Sequence, residues 1–113
     1  MGISTHVLDI SRGRPAAGVE VTLEVEHTAG QWRQVGEGRT NDDGRVPAML
    51  PAGEVPGVGH YRLAFAVRPY FESLHAKTFY SEIVIAFAVE NPSEQFHVPL
   101  LLSPFGYSTY RGS

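Results

Sequence analysis

Val19, Val21, Leu23 and Val25 alternate with Glu20, Thr22, Glu24 and Glu26, a period of two that turns one face of the segment to a core and the other to water. The same alternation returns in Tyr61-Leu63-Phe65-Val67, in Ile83-Ile85-Phe87-Val89 and in Phe96-Val98-Leu100-Leu102, which establishes four strands. Shorter candidates lie at Thr5 to Ile10, Gln31 to Val35, Gly38 to Thr40 with Arg45-Val46, and Tyr107 to Tyr110. Between them, Gly13-Arg14-Pro15, Thr28-Ala29-Gly30, Asn41-Asp42-Asp43-Gly44, Pro51-Ala52-Gly53 and Asn91-Pro92 carry turn chemistry. Pro69 presets φ for a first helical turn, and Phe71, Leu74 and His75 fall at helical spacing, so one short helix is expected over Tyr70 to Lys77. The pattern predicts an all-β fold, a two-sheet β-sandwich of seven to eight strands with one short helix.

With 113 residues, 42% hydrophobic and 19% charged, the chain is expected to form one domain over residues 1–113, large enough to stand without a metal or disulfide staple. The absence of cysteine removes disulfides, thiolate nucleophiles and CxxC metal knuckles together. A net charge of −3 with no basic cluster argues against nucleic acid as a partner. The start Met1-Gly2-Ile3-Ser4-Thr5-His6 carries neither a leader pattern nor a myristoylation motif, and the longest apolar run, Ile83 to Val89, is too short to span a bilayer. A soluble, cytoplasmic protein with no membrane partner is the expectation. In that same run Val84, Ala86 and Ala88 oppose Ile83, Ile85 and Phe87, so both strand faces are apolar and a partner subunit is expected to cover the second.

Candidate chemistry sits on outer strand faces. His97 alternates with the core residues Phe96 and Val98, and His6 with Val7, so both imidazoles point away from the core if Val7 points in. A lone strand histidine is ordinarily an exposed or hydrogen-bonded surface residue; two such residues with leucines and a proline could also line a groove between subunits. His27, His60 and His75 have no such placement, and the HxH, HxxxH and HExxH spacings of a metal site do not occur, so no metal is assigned. No GxSxG elbow or phosphate-cradling loop is present. Arg45, leaving the Asp42-Asp43-Gly44 turn, is either a solvated charge or the guanidinium fork for a planar, carbonyl-rich ligand. In the tail Tyr107-Ser108-Thr109-Tyr110-Arg111-Gly112-Ser113, the tyrosines either finish a strand or help place the Ser113 hydroxyl and terminal carboxylate in a site.

Three stretches carry a resemblance that runs over essentially the whole chain: Ser4-Thr5-His6-Val7-Leu8-Asp9 followed by Gly13-Arg14-Pro15-Ala16; Thr40-Asn41-Asp42-Asp43-Gly44-Arg45; and His97-Val98-Pro99-Leu100-Leu101-Leu102-Ser103-Pro104 leading to Tyr110-Arg111-Gly112-Ser113. In these the sequence resembles the 5-hydroxyisourate hydrolases, the transthyretin-like enzymes of urate breakdown. Transthyretin, the hormone carrier of the same fold, keeps the Leu-Leu-Ser-Pro stretch but lacks the two histidines, the arginine and the closing tetrapeptide. One departure is Gln95-Phe96-His97, where many members have His-Tyr-His.

The resemblance implies a homotetramer, a dimer of dimers, with sites in a channel across the dimer–dimer interface. It implies catalytic positions at His6, Arg45, His97 and Ser113, with His6, Arg45, Tyr110 and Ser113 binding substrate. The implied reaction is hydrolytic opening of 5-hydroxyisourate at its N1–C6 amide, giving 2-oxo-4-hydroxy-4-carboxy-5-ureidoimidazoline without a cofactor. His6 and His97 are expected to share water activation and proton delivery, since an imidazole titrates nearest neutral pH, with the identity of the base left open. Arg45 is expected to hold the ring and offset carbonyl charge, and Ser113 to orient a histidine or the substrate. Two other readings remain: a carrier of a thyroid-hormone-like or other aromatic ligand, and a metal-binding or adhesive sandwich module.

Overall fold

The computed structural model of the chain describes residues 2–113. In chain order its strands are β1 (Gly2–Asp9), β2 (Arg14–Pro15), β3 (Glu20–Thr28), β4 (Gln31–Arg39), β5 (Arg45–Val46), β6 (Gly59–Ala66), β7 (Ile83–Val89), β8 (Gln95–Ser103) and β9 (Gly106–Thr109). One helix, α1 (Val67–Ser73), lies between β6 and β7. The first sheet has the order β2-β1-β8-β9, with β5 also paired to β1, and the second has the order β4-β3-β6-β7. Every pairing is antiparallel except β1 with β8, which run parallel.

The alternation read from the sequence is what closes the sandwich. Ile3 and Val7 of β1 and Phe96, Val98, Leu100 and Leu102 of β8 meet Val21 and Leu23 of β3 and Tyr61, Leu63 and Phe65 of β6 in one buried cluster. Each such side chain contributes roughly 1.5–3 kcal/mol on burial. The four long strands appear where the period of two places them. The count rises to nine because Arg14–Pro15, expected as a turn, pairs with Leu8 and Asp9. Gln31 to Val35 and Gly38 to Thr40, expected as separate strands, form one. Gly36 does not break β4; it makes room for the Met49 backbone, which occupies the place of a side chain.

The helix differs from the expected Tyr70 to Lys77. It begins at Val67, with Pro69 in the first turn, where backbone N–H groups have no intrahelical partner to lose. It ends in a Schellman arrangement: the Ala76 N–H donates to Phe71 O at 2.9 Å and the His75 N–H to Glu72 O at 3.0 Å. His75, with φ 56°, takes the left-handed position usually given to glycine. The helix is tied to the end of β1 by Tyr70, whose hydroxyl donates to the buried Asp9 carboxylate at 2.7 Å. Burial, then that carboxylate, pushes the Tyr70 phenol up to about 12.

Among the described residues β7 and β9 end their sheets, so each presents an unpaired edge. On β7, Ile83 and Val89 are buried, Ile85 and Phe87 are half-buried, and Val84 is 42% exposed. Among the described residues no helix is long and apolar enough to cross a membrane.

Candidate active site

Three strand registers gather the candidate residues on the outer face of the first sheet. The parallel pairing of β1 with β8 sets Ser4 opposite His97 and His6 opposite Pro99. The antiparallel pairing of β1 with β5 sets His6 opposite Arg45. Beyond the β8–β9 hairpin the same register continues into the tail, where Gly112 forms an isolated bridge with His97. Since Ile3, Thr5 and Val7 are buried on β1 and Phe96 and Val98 on β8, alternation directs Ser4, His6 and His97 outward.

Arg45 is aimed by the turn before it. The Asn41 side-chain oxygen accepts from the Asp43 N–H at 2.9 Å and the Arg45 N–H at 3.0 Å, and the Gly44 N–H closes the turn on Asn41 O at 2.8 Å. Gly44 has φ 78°, and a Cβ there would collide with the carbonyl oxygen of Val7, whose N–H donates to Gly44 O at 2.7 Å. Only glycine lets this turn dock on β1 and hold β5 in register.

The His97 ring is gripped from both edges. Ser4 Oγ lies 2.8 Å from Nδ1. Across the ring from Nδ1 the Gly112 backbone comes close to Cδ2, held by its N–H donating to His97 O at 2.8 Å. A Cβ on Gly112 would fall 2.5 Å from His97 Cδ2 and 3.2 Å from both His97 Cγ and Pro99 Cγ. Arg111 secures the tail from the other side: its guanidinium donates to Glu94 at 2.9 Å and to Gln95 O at 3.3 Å, and stacks 4.8 Å over the Phe96 ring. Burial, then the charges of Arg45 and His6, hold the His97 imidazole below its ordinary value.

An open cleft of about 250 Å³ is lined by Ser4, Thr5, Arg45, Pro47, His97 and Ser113. Three of the four expected catalytic residues therefore share it. His6 does not line it, but stands beside Arg45 in register and near enough for its charge to act on His97. Tyr110 lies elsewhere: 57% exposed, it lines a separate groove of about 170 Å³ with Ile85, Phe87 and Phe96, which His97 also borders. Ser4 and Gln95, whose amide donates to Ser4 Oγ at 3.3 Å, are not among the site residues expected from the sequence. Ser4 has the same strand parity as His6, which was the available signal. Gln95, which the register sets opposite Gly2, stands out in the sequence only as the departure from His-Tyr-His.

An imidazole shielded from protonation, a second imidazole, a guanidinium and a hydroxyl can activate water and brace a polarised carbonyl. Fold and cluster together define a transthyretin-like β-sandwich with a polar, imidazole-bearing cleft on the outer face of one sheet. The chain belongs to the HIUase/Transthyretin family, whose model matches residues 3–112. It is 47% identical to the 5-hydroxyisourate hydrolase of Caulobacter vibrioides, over 99% of this chain and 98% of that protein. Among solved structures, the 5-hydroxyisourate hydrolase of Klebsiella pneumoniae superposes with a TM-score of 0.85 at 35% identity, covering both chains fully. Sea bream transthyretin in complex with thyroxine superposes with a TM-score of 0.89 at 25% identity, over 99% of this chain and 95% of that one.

Proposed function

We infer that this protein hydrolyses 5-hydroxyisourate, opening the six-membered ring at the N1–C6 amide to give 2-oxo-4-hydroxy-4-carboxy-5-ureidoimidazoline. The observation that carries the reading is the shared placement of Arg45, His97 and Ser113 around one cleft with His6 in register beside Arg45. The planar, oxygen-rich ring suits a guanidinium fork, which presents fixed donors to neighbouring carbonyl oxygens. Arg45 thus orients the ring and offsets charge as the attacked carbonyl becomes tetrahedral. The imidazoles handle the proton of the attacking water, and the Ser113 hydroxyl positions the ring or an imidazole. The organic chemistry needs no cofactor: a C–O bond forms, a C–N bond breaks, and water supplies both protons.

Assembly as a homotetramer, a dimer of dimers, belongs to the same reading. The β7 and β9 edges offer unpaired backbone for a second copy. Leu8 and Leu101, adjacent across the β1–β8 pairing and only half-buried, form an apolar patch on the face that carries the histidines. A second sheet laid on that patch would turn the open cleft into a channel and exclude water from it.

The test couples urate oxidase to this protein and follows the ultraviolet absorbance of freshly formed 5-hydroxyisourate. Accelerated decay, reduced to the spontaneous rate by His97→Ala or His6→Ala, is expected. Stoichiometric binding of an aromatic ligand without turnover would support the carrier reading instead.

A further inference from the structure

A hydroxyl has one proton to give and two lone pairs, so its neighbours decide where that proton points. Ser4 Oγ receives a hydrogen bond from the Gln95 amide nitrogen at 3.3 Å and lies 2.8 Å from His97 Nδ1. An amide nitrogen has only protons to offer, so the Ser4 proton is not directed at Gln95. Among the described residues His97 Nδ1 is the one acceptor within reach of Ser4 Oγ. The arrangement that uses every donor runs from Gln95 N–H to Ser4 Oγ, and from Ser4 O–H to Nδ1. With Nδ1 accepting, the proton of the neutral ring sits on Nε2.

We propose that Gln95 and Ser4 are positioning residues that hold neutral His97 as its Nε2–H tautomer, making His97 a hydrogen-bond donor to the substrate carbonyl and not the base that activates water. The proposal deepens the hydrolytic reading and rests on it for the identity of the substrate. Ring orientation supports it. Gly112 packs against the edge of the imidazole opposite Nδ1, so turning the ring over would trade the Ser4 hydrogen bond for a contact with carbon. The cation facing the ring, Arg45 from β5, also favours its neutral form, and His6 from β1 adds to this once it has taken up a proton. A neutral imidazole donor is an effective electrophile toward a carbonyl oxygen.

The proton inventory then closes around His6. Water oxygen bonds to the ring carbonyl carbon while one of its protons passes to the His6 imidazole. As the C–N bond breaks, His6 returns that proton to the departing nitrogen. His97 keeps its own proton throughout, donating a hydrogen bond to the oxygen on which charge develops.

Nitrogen NMR of histidine-labelled protein reads the tautomer directly, with His97 assigned by the signals lost in His97→Gln. At a pH where the ring is neutral, the wild type is expected to show a protonated Nε2 and an unprotonated Nδ1. Gln95→Glu is the decisive variant, because a carboxylate only accepts: the Ser4 hydroxyl turns toward it, Nδ1 must donate, and His97 changes tautomer. That change is expected to lower kcat by about a hundredfold with KM nearly constant, the scale of losing one donor to a developing oxyanion. Ser4→Ala should give a mixture of tautomers, and Ser4→Thr should restore the wild-type spectrum. A protonated Nδ1 in the neutral wild type overturns the proposal, whether or not Gln95→Glu folds. So does an unchanged Nε2–H pattern in Gln95→Glu. A correct wild-type spectrum with no turnover of 5-hydroxyisourate would instead sink the substrate assignment and leave the hydrogen-bond relay standing.

Discussion

Replacing Gly112 by alanine adds one methyl group, and the structure says where it must go. The new carbon would lie 2.5 Å from His97 Cδ2 and 3.2 Å from His97 Cγ and Pro99 Cγ. Carbon atoms pack at about 3.5–4.0 Å, so something moves by about an ångström. The ring is restrained on its far side by Ser4 at 2.8 Å, and the tail is restrained by the Gly112 N–H on His97 O at 2.8 Å. One of these hydrogen bonds yields, a loss of about 0.5–1.5 kcal/mol in stability. A displacement of about 1 Å in a reacting group costs on the order of a hundredfold in rate. Gly112→Ala should therefore lower kcat/KM for 5-hydroxyisourate by about that factor while the midpoint of thermal unfolding drops by only a few degrees. The absorbance assay measures the first and differential scanning calorimetry the second. Gly106→Ala is the matched control, since a Cβ there meets nothing closer than Ser103 Oγ at 3.8 Å. Activity in Gly112→Ala within threefold of the control would refute the claim that the tail positions the imidazole.

Three further outcomes are expected. Arg45→Gln removes one of the charges that depress His97, after burial itself, so the ring should titrate closer to its ordinary value in a proton NMR titration. Because the folded value lies below the unfolded one near 6.5, His97 contributes stability above that pH and withdraws it as pH falls through the folded value. Chemical denaturation at stepped pH should show that contribution shrink in Arg45→Gln. Gly44→Ala must adopt φ near 78° and clear the Val7 carbonyl, so it should cost upward of about 1–2 kcal/mol, visible as a lower urea midpoint. Leu101→Arg places a charge in the half-buried patch beside Leu8, so sedimentation should show smaller particles and the absorbance assay a loss of turnover, with the circular dichroism of a β-sandwich retained.

Period-two alternation made the long strands and their core faces legible, because a buried face enforces its own pattern. The outward direction of His6 and His97 follows from the same parity. What joins them was not legible. The parallel pairing of β1 with β8 connects residues 93 positions apart, and nothing local to Ser4 or His97 encodes that register. Arg14–Pro15 reads as a turn in the sequence because two residues carry no period, and its pairing depends on where β1 ends. The helix was displaced because Pro69 is tolerated deeper in the first turn than a start signal implies, and His75 ends the helix in a conformation its side chain does not advertise. The closing motif groups Tyr110 with the site, and continuing the β8–β9 register gives it the parity of His97, yet it borders the groove with Ile85 and Phe87 and not the cleft with Arg45 and Ser113.

The two-residue turn at Pro104-Phe105 works as a length gauge. Ser103 pairs with Gly106, and every later residue inherits its position from that start, down to Gly112 beside His97. Inserting one residue there would advance the whole terminal segment by a step and exchange its two faces, carrying the closing serine away from the arginine. Variation in length is thus tolerable in the loops at the far ends of the sandwich and forbidden in this hairpin, a constraint that acts on spacing alone and is blind to which amino acids fill it.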